Sequence, residues 1–102
     1  MKDTTKITSL FPQVVAAIPN NEFDSHTFIL MFIRMFPSEY LNLLTDECEN
    51  VAPFQDQNLL KVHGQFGILL NQNGNAYYQK IGETESMNVN GNISPCALWK
   101  KI

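Results

Sequence analysis

Residues Gln55 to Asn73 read QDQNLLKVHGQFGILLNQN, and the assignment of this stretch decides the fold. Leu59, Val62, Phe66, Leu69 and Leu70 recur at helical spacing and form one apolar stripe. Gln57, Asn58, Lys61, Gln65 and Gln72 form a polar row that Ile68 interrupts. The spacing predicts a helix with one face turned to a core and another to solvent. Gly64 and Gly67 lie inside it, each costing roughly 1 kcal/mol relative to alanine. Such a cost implies close approach by another backbone, or a bend.

Downstream, Asn71 to Asn75 (NQNGN) is a turn signal, and Ala76 to Ile81 (AYYQKI) is rich in strand-forming aromatics. Gly82 to Pro95 is polar and glycine-bearing and reads as a long flexible loop. Cys96 to Ile102 (CALWKKI) alternates well enough for a returning strand. Adjacent strand residues point to opposite faces, so Trp99 and one of Tyr77 and Tyr78 are expected in the core, with the other tyrosine outside.

Upstream, Ile7, Leu10, Phe11, Val14, Val15 and Ile18 predict a first helix over 7–18, capped by Thr8 or Ser9. Pro12 is tolerated there if it falls in the first turn. Pro19-Asn20-Asn21 ends it, and Glu22-Phe23-Asp24 reads as a short extended piece with Phe23 inward. Asp24 or Ser25 can cap a second helix over about 26–36, the most enclosed element, since its apolar residues run nearly all round. Pro37 ends or kinks it, and Ser38 can cap a continuation. In that continuation Tyr40, Leu41 and Leu44 form the inner stripe, which Cys48 can extend, while Glu39, Asn42, Asp46 and Glu49 face water. Asp46, Glu47 and Glu49 oppose the helix dipole, which predicts fraying, and residues 49–54 read as a loop.

The resulting order is helix, short extended piece, helix, helix, strand, loop, strand. With its FD piece, the 55–73 helix, YYQKIG, the following loop and LWKKI, the chain resembles the winged helix-turn-helix superfamily over most of its length. The helical piece at 37–50 is a departure from a compact helix-turn-helix corner. The resemblance implies an α+β, mainly helical winged helix-turn-helix with a C-terminal β-hairpin wing. It implies that Gln55, Gln57, Asn58, Lys61 and Gln65 face the bases or phosphates of duplex DNA. Lys80, Asn88, Asn90, Asn92, Lys100 and Lys101 would then serve the phosphate backbone from the wing, as in a small transcriptional regulator. Amide side chains suit adenine edges, and lysine reaches guanine or phosphate. With so few phosphate contacts, useful affinity requires a homodimer.

Composition bounds these expectations. A chain of 102 residues, 44% hydrophobic and 17% charged, forms one globular domain. Its net charge of −3 is uneven: residues 21–50 set Arg34 against Glu22, Asp24, Glu39, Asp46, Glu47 and Glu49, a balance of −5, while the segments on either side each carry +1. DNA would be repelled by an unshielded acidic face, so the alternative is a protein-protein interaction or inhibitor domain whose contact includes the acidic 39–49 surface. The longest strongly apolar run, Phe28 to Ile33, is far short of the about 20 residues a membrane span needs. The start, MKDTTKITSLFPQ, lacks the apolar core of a signal peptide, so a cytoplasmic location is expected, with Cys48 and Cys96 as reduced thiols and a single disulfide as the alternative. Asn92-Ile93-Ser94 matches the glycosylation pattern, which matters only in a secreted protein.

Catalytic patterns are weak. His26 and His63 have no second ligand at metal spacing, residues 46–49 lack the oxygen pattern of a calcium loop, and Gly64 to Gly67 lacks the lysine of a phosphate-binding loop. Cys96 has no basic neighbour in sequence. No enzyme, metal or cofactor is expected.

Overall fold

The computed structural model describes residues 5–47, 56–73, 77–89 and 91–102, with the side chains of all of these except 45–47 and 56–61. Cys48, Gln55, Asn90, the 49–54 loop and the tip of the NQNGN turn lie outside the described residues. In chain order the elements are α1 (Thr5–Thr8), α2 (Phe11–Ala17), β1 (Glu22–Asp24), α3 (Ser25–Met35), α4 (Pro37–Glu47), α5 (Asp56–Asn73), β2 (Tyr78–Met87) and β3 (Ile93–Lys101). The class is α+β: helices against a three-stranded antiparallel sheet in the order β1-β3-β2. Among the described residues, no helix is long and apolar enough to cross a membrane.

The expected first helix is split in two. Pro12 lies in the first turn of α2, where its missing N–H breaks no bond, and the chain restarts there. Thr8 and Ser9 do not cap α2. Their hydroxyls donate back to the carbonyls of Thr5 and Lys6, and Leu10 occupies the cap position without a side-chain bond. The apolar stripe survives the break, since Ile7, Phe11, Val14, Val15 and Ile18 are all buried.

Asp24 caps α3, its Oδ1 accepting the Thr27 amide at 2.7 Å. Phe28, Ile29 and Phe32 are buried on α3, whereas Leu30 and Arg34 reach solvent, so the helix is enclosed less completely than its composition suggested. Pro37 opens α4 directly, which places Ser38 inside the first turn and not before it. Leu43 joins Tyr40 and Leu44 in the core, and Leu41 is exposed, a correction of the expected stripe. Both 40/43/44 and 40/41/44 are compatible with a helical repeat, and the packing of α4 against α3 and α5 selects the first.

Val62, Phe66, Leu69 and Leu70 of α5 are buried as expected. Phe66 lies at the centre of an aromatic cluster, 4.8 Å from Phe32 and 6.2 Å from Phe11 between ring centroids. Tyr78 is buried and Tyr77 exposed, and the Tyr78 hydroxyl donates to the Leu70 carbonyl at 2.8 Å, locking the start of β2 to the end of α5. Trp99 packs edge-on to Tyr78 at 5.3 Å, and its Nε1 donates to Ser25 Oγ at 3.0 Å. Burial pushes the Tyr78 phenol well above its ordinary range, so it remains a donor.

The long loop expected over 82–95 is instead mostly strand. β2 and β3 pair continuously from Tyr78↔Lys101 to Met87↔Ile93, with a bulge that leaves Ile81 outside the ladder. The turn is short: Asn88 N–H donates to the Asn92 carbonyl, Gly91 N–H to the Asn88 carbonyl, and Asn92 N–H to Asn88 Oδ1. Gly91 has φ +87°, a conformation that favours glycine. β3 lies between its neighbours because β1 adds to its other side, Phe23 opposite Trp99. Phe23, inward as expected, reaches Phe28 and Tyr78.

Candidate functional site

The residues expected to touch DNA fall into three groups. Gln57, Asn58 and Lys61 lie in the N-terminal half of α5, but their side chains, like Gln55 and Asn90, lie outside the description. Gln65 is half-buried on α5, and Gln72 is exposed further along. The third group is on the sheet. Lys80 Nζ stands 3.6 Å from Glu83 Oε1, and the half-buried Lys101 donates its ammonium to the Ile18 carbonyl. Lys100 is exposed, in register with Glu22 on one side and Gln79 on the other. Asn88 is engaged within the hairpin turn and donates to Ser94 Oγ at 3.4 Å, while Asn92 gives its amide to the same turn.

The described part of this face is therefore not strongly cationic. Lys80 has Glu83 beside it, Glu85 is exposed further along β2, and Lys101 is turned to the α2 C-terminus. What stands out is apolar: Met87 and Ile93, directly paired at the end of the hairpin, are 62% and 64% exposed, and Val89 follows in the turn. Ile68, which interrupts the polar row of α5, is 52% exposed.

On the inner side of the hairpin lies a cleft of about 320 Å³ between α3, α5, the hairpin turn and β3. His26, the second residue of α3, reaches into the sheet. Its Nδ1 is 2.8 Å from Ser86 Oγ and its Nε2 3.3 Å from Ser94 Oγ. Ser86 Oγ in turn lies 3.7 Å from the free thiol of Cys96, so a polar chain runs across the strands. His63 lines the cleft from α5, its Nε2 2.6 Å from the Tyr40 hydroxyl of α4. Burial lowers the His63 pKa to about 4, helped by repulsion from His26, and burial raises Tyr40 to about 12. At neutral pH the pair is an uncharged imidazole hydrogen-bonded to an uncharged phenol.

Sequence spacing could not have found this cluster. His26 and Ser86 are 60 residues apart, and His26 and Ser94 are 68 apart, so each histidine reads as solitary along the chain. The only local signal was the glycine pair one helical turn apart. Among the described residues neither glycine serves a close approach, because a Cβ built at Gly64 or Gly67 meets none of them within 4 Å. Both line the cleft. Among the described residues, no three His, Cys, Asp or Glu side chains converge as metal ligands.

Fold and site together define a small α+β domain with an apolar hairpin end outside and, inside, a mainly apolar cleft carrying a few polar groups. Comparison with protein-family models, with curated proteins and with solved structures yields no match for this chain.

Proposed function

We propose that this chain is a protein-interaction domain on a winged-helix-like scaffold, docking a partner protein through the outer end of the β2–β3 hairpin. The observation that carries the reading is the Met87–Ile93 pair, two large apolar side chains presented on one rung and left more than half exposed. Exposed apolar groups gathered at one place favour contact with another apolar surface. Charge supports the same reading: the total is −3, and two of the sheet lysines are matched to a carboxylate or a carbonyl. A second copy of the chain is the simplest partner.

Duplex DNA is the second reading, favoured by topology. A strand between the early helices pairs with the last strand, and α5 leads into the hairpin, the arrangement that the winged-helix resemblance implies. Its weakness is the shortage of cations, since neutralised phosphates supply most of the affinity for DNA.

Light scattering over a concentration series, affinity capture from the native cell and duplex-DNA titration across a salt series separate the two. On the docking reading a protein complex forms and is lost in Met87→Lys with Ile93→Lys, with no saturable DNA binding at low salt. A monomer that captures no protein, yet binds duplex in a salt-dependent way that Lys61→Ala with Lys80→Ala weakens, overturns it in favour of DNA.

A further inference from the structure

Gly64 and Gly67 weaken α5, and packing against the described residues gives no reason for them: a methyl group at either position meets none of these within 4 Å. What their bareness provides is space, since both form the α5 wall of the cleft. The opposite wall is the hairpin, with Val89 and Pro95 among the apolar residues and Ser94 and Cys96 among the polar ones. Among the described residues no Asp, Glu, Lys or Arg lines the cleft, and beside those residues an ionic occupant would lose hydration without gaining a counter-charge. A cavity of about 320 Å³ falls at the small end of the range for ligand sites.

The hydrogen-bonding sense of the wall follows from the Tyr40–His63 pair. An imidazole nitrogen is a better acceptor than a phenol oxygen, and a phenol is the better donor. The Tyr40 hydroxyl therefore donates to His63 Nε2, which leaves the proton of the neutral ring on Nδ1. Among the described residues only Tyr40 bonds this ring. His63, which lines the cleft, thus keeps one N–H donor that no described residue takes, while Ser94 and Cys96 can accept or donate at the other wall.

We propose that the cleft between α5 and the hairpin is a binding site for a small, uncharged, planar carbonyl compound of the aromatic amide type. Its ring lies against the bare glycine face, and its carbonyl accepts from His63 Nδ1. This site faces inward and shares Val89 with the docking end, but Met87 and Ile93, which carry the docking assignment, do not line it, so either assignment can fail without the other.

The test uses three isosteric probes, benzamide, benzoate and benzylammonium, titrated at neutral pH into the full chain and followed by NMR. Benzamide is expected to bind with a Kd on the order of 1 mM. Its shifts should centre on His63, Gly64, Gly67 and Cys96, and both ions should bind at least tenfold more weakly. Gly67→Met should weaken benzamide at least tenfold. In a Cys48→Ser protein, benzamide should slow alkylation of Cys96, a readout that needs no change to α5. Absence of saturable shifts, equal binding of the ions, shifts centred on Met87 and Ile93, or unchanged Cys96 alkylation in saturating benzamide would each overturn the proposal.

Discussion

Replacing Gly64 and Gly67 together by alanine should make the protein more stable. Glycine in a helix interior is less favourable than alanine by roughly 1 kcal/mol, because it loses more backbone freedom on folding. Against this gain stands any clash of the new methyl groups, and among the described residues there is none: neither Cβ has such a neighbour within 4 Å. With neighbouring sites on one helix turn, full additivity is not assumed, and a gain of roughly 1–2 kcal/mol is expected for the pair. For a domain of this size that corresponds to a rise in Tm of roughly 5–15 °C. Urea and thermal unfolding of the two single variants and the double variant measure it directly. Loss of stability in either single variant would show that another backbone does approach α5 there, and it would remove the reason for reading the glycines as the open wall of the cleft. The same double variant should bind benzamide less well, because the stability is gained by filling space that a ligand would use.

Three further outcomes follow from individual contacts. Asp24→Ala removes the acceptor of the Thr27 amide and should cost about 1 kcal/mol in chemical denaturation, with Asp24→Asn recovering most of it. Trp99→Phe leaves the buried Ser25 hydroxyl without its indole donor and should cost about 2–3 kcal/mol, whereas Tyr77→Phe, at an exposed position, should change stability by less than about 0.5 kcal/mol. The imidazole of His63 takes up a proton near 6.5 when unfolded and near 4 when folded. Stability is therefore complete above about pH 6.5 and falls as the pH drops toward 4. After allowance for solvent screening of this partly exposed ring the loss is about 1–2 kcal/mol, read as the difference between the pH profiles of the parent and His63→Gln.

The elements that were legible in the sequence are those whose signal is local. The α5 stripe, the Asp24 cap, the inward Phe23 and the alternation of Tyr77 and Tyr78 each depend on neighbours within a turn or a rung. The hairpin was misread because its half-buried positions on β2, Gly82, Thr84 and Ser86, are small or polar. Their period of two carries no hydrophobic contrast with Glu83 and Glu85. Ser86 is turned inward by its bond to His26, a polar contact that hydrophobic patterning does not reveal. The partners of His26 were not legible for a related reason: they come from strand pairing that brings Ser86 opposite Ser94, a contact of long sequence separation.

Strand alternation also ties the two candidate sites together. Ser86 and Ser94 form one rung of the hairpin and hold His26 from the inner side, while Met87 and Ile93 form the next rung and point outward. A side chain on either rung fixes the backbone from which the other projects. His26 is itself anchored at the start of α3 by the Asp24 cap, so the hairpin end is braced against the helical core through one imidazole and two hydroxyls. That brace gives the outward apolar pair a defined orientation at the point furthest from Tyr78, where the aromatic core no longer supports the strands. Removing it in His26→Ala should therefore leave the Phe66-centred core intact while weakening the protection of the Met87 and Ile93 amides from hydrogen exchange. Equal protection with and without His26 would show that the short Asn88–Asn92 turn alone holds the end of the hairpin in place.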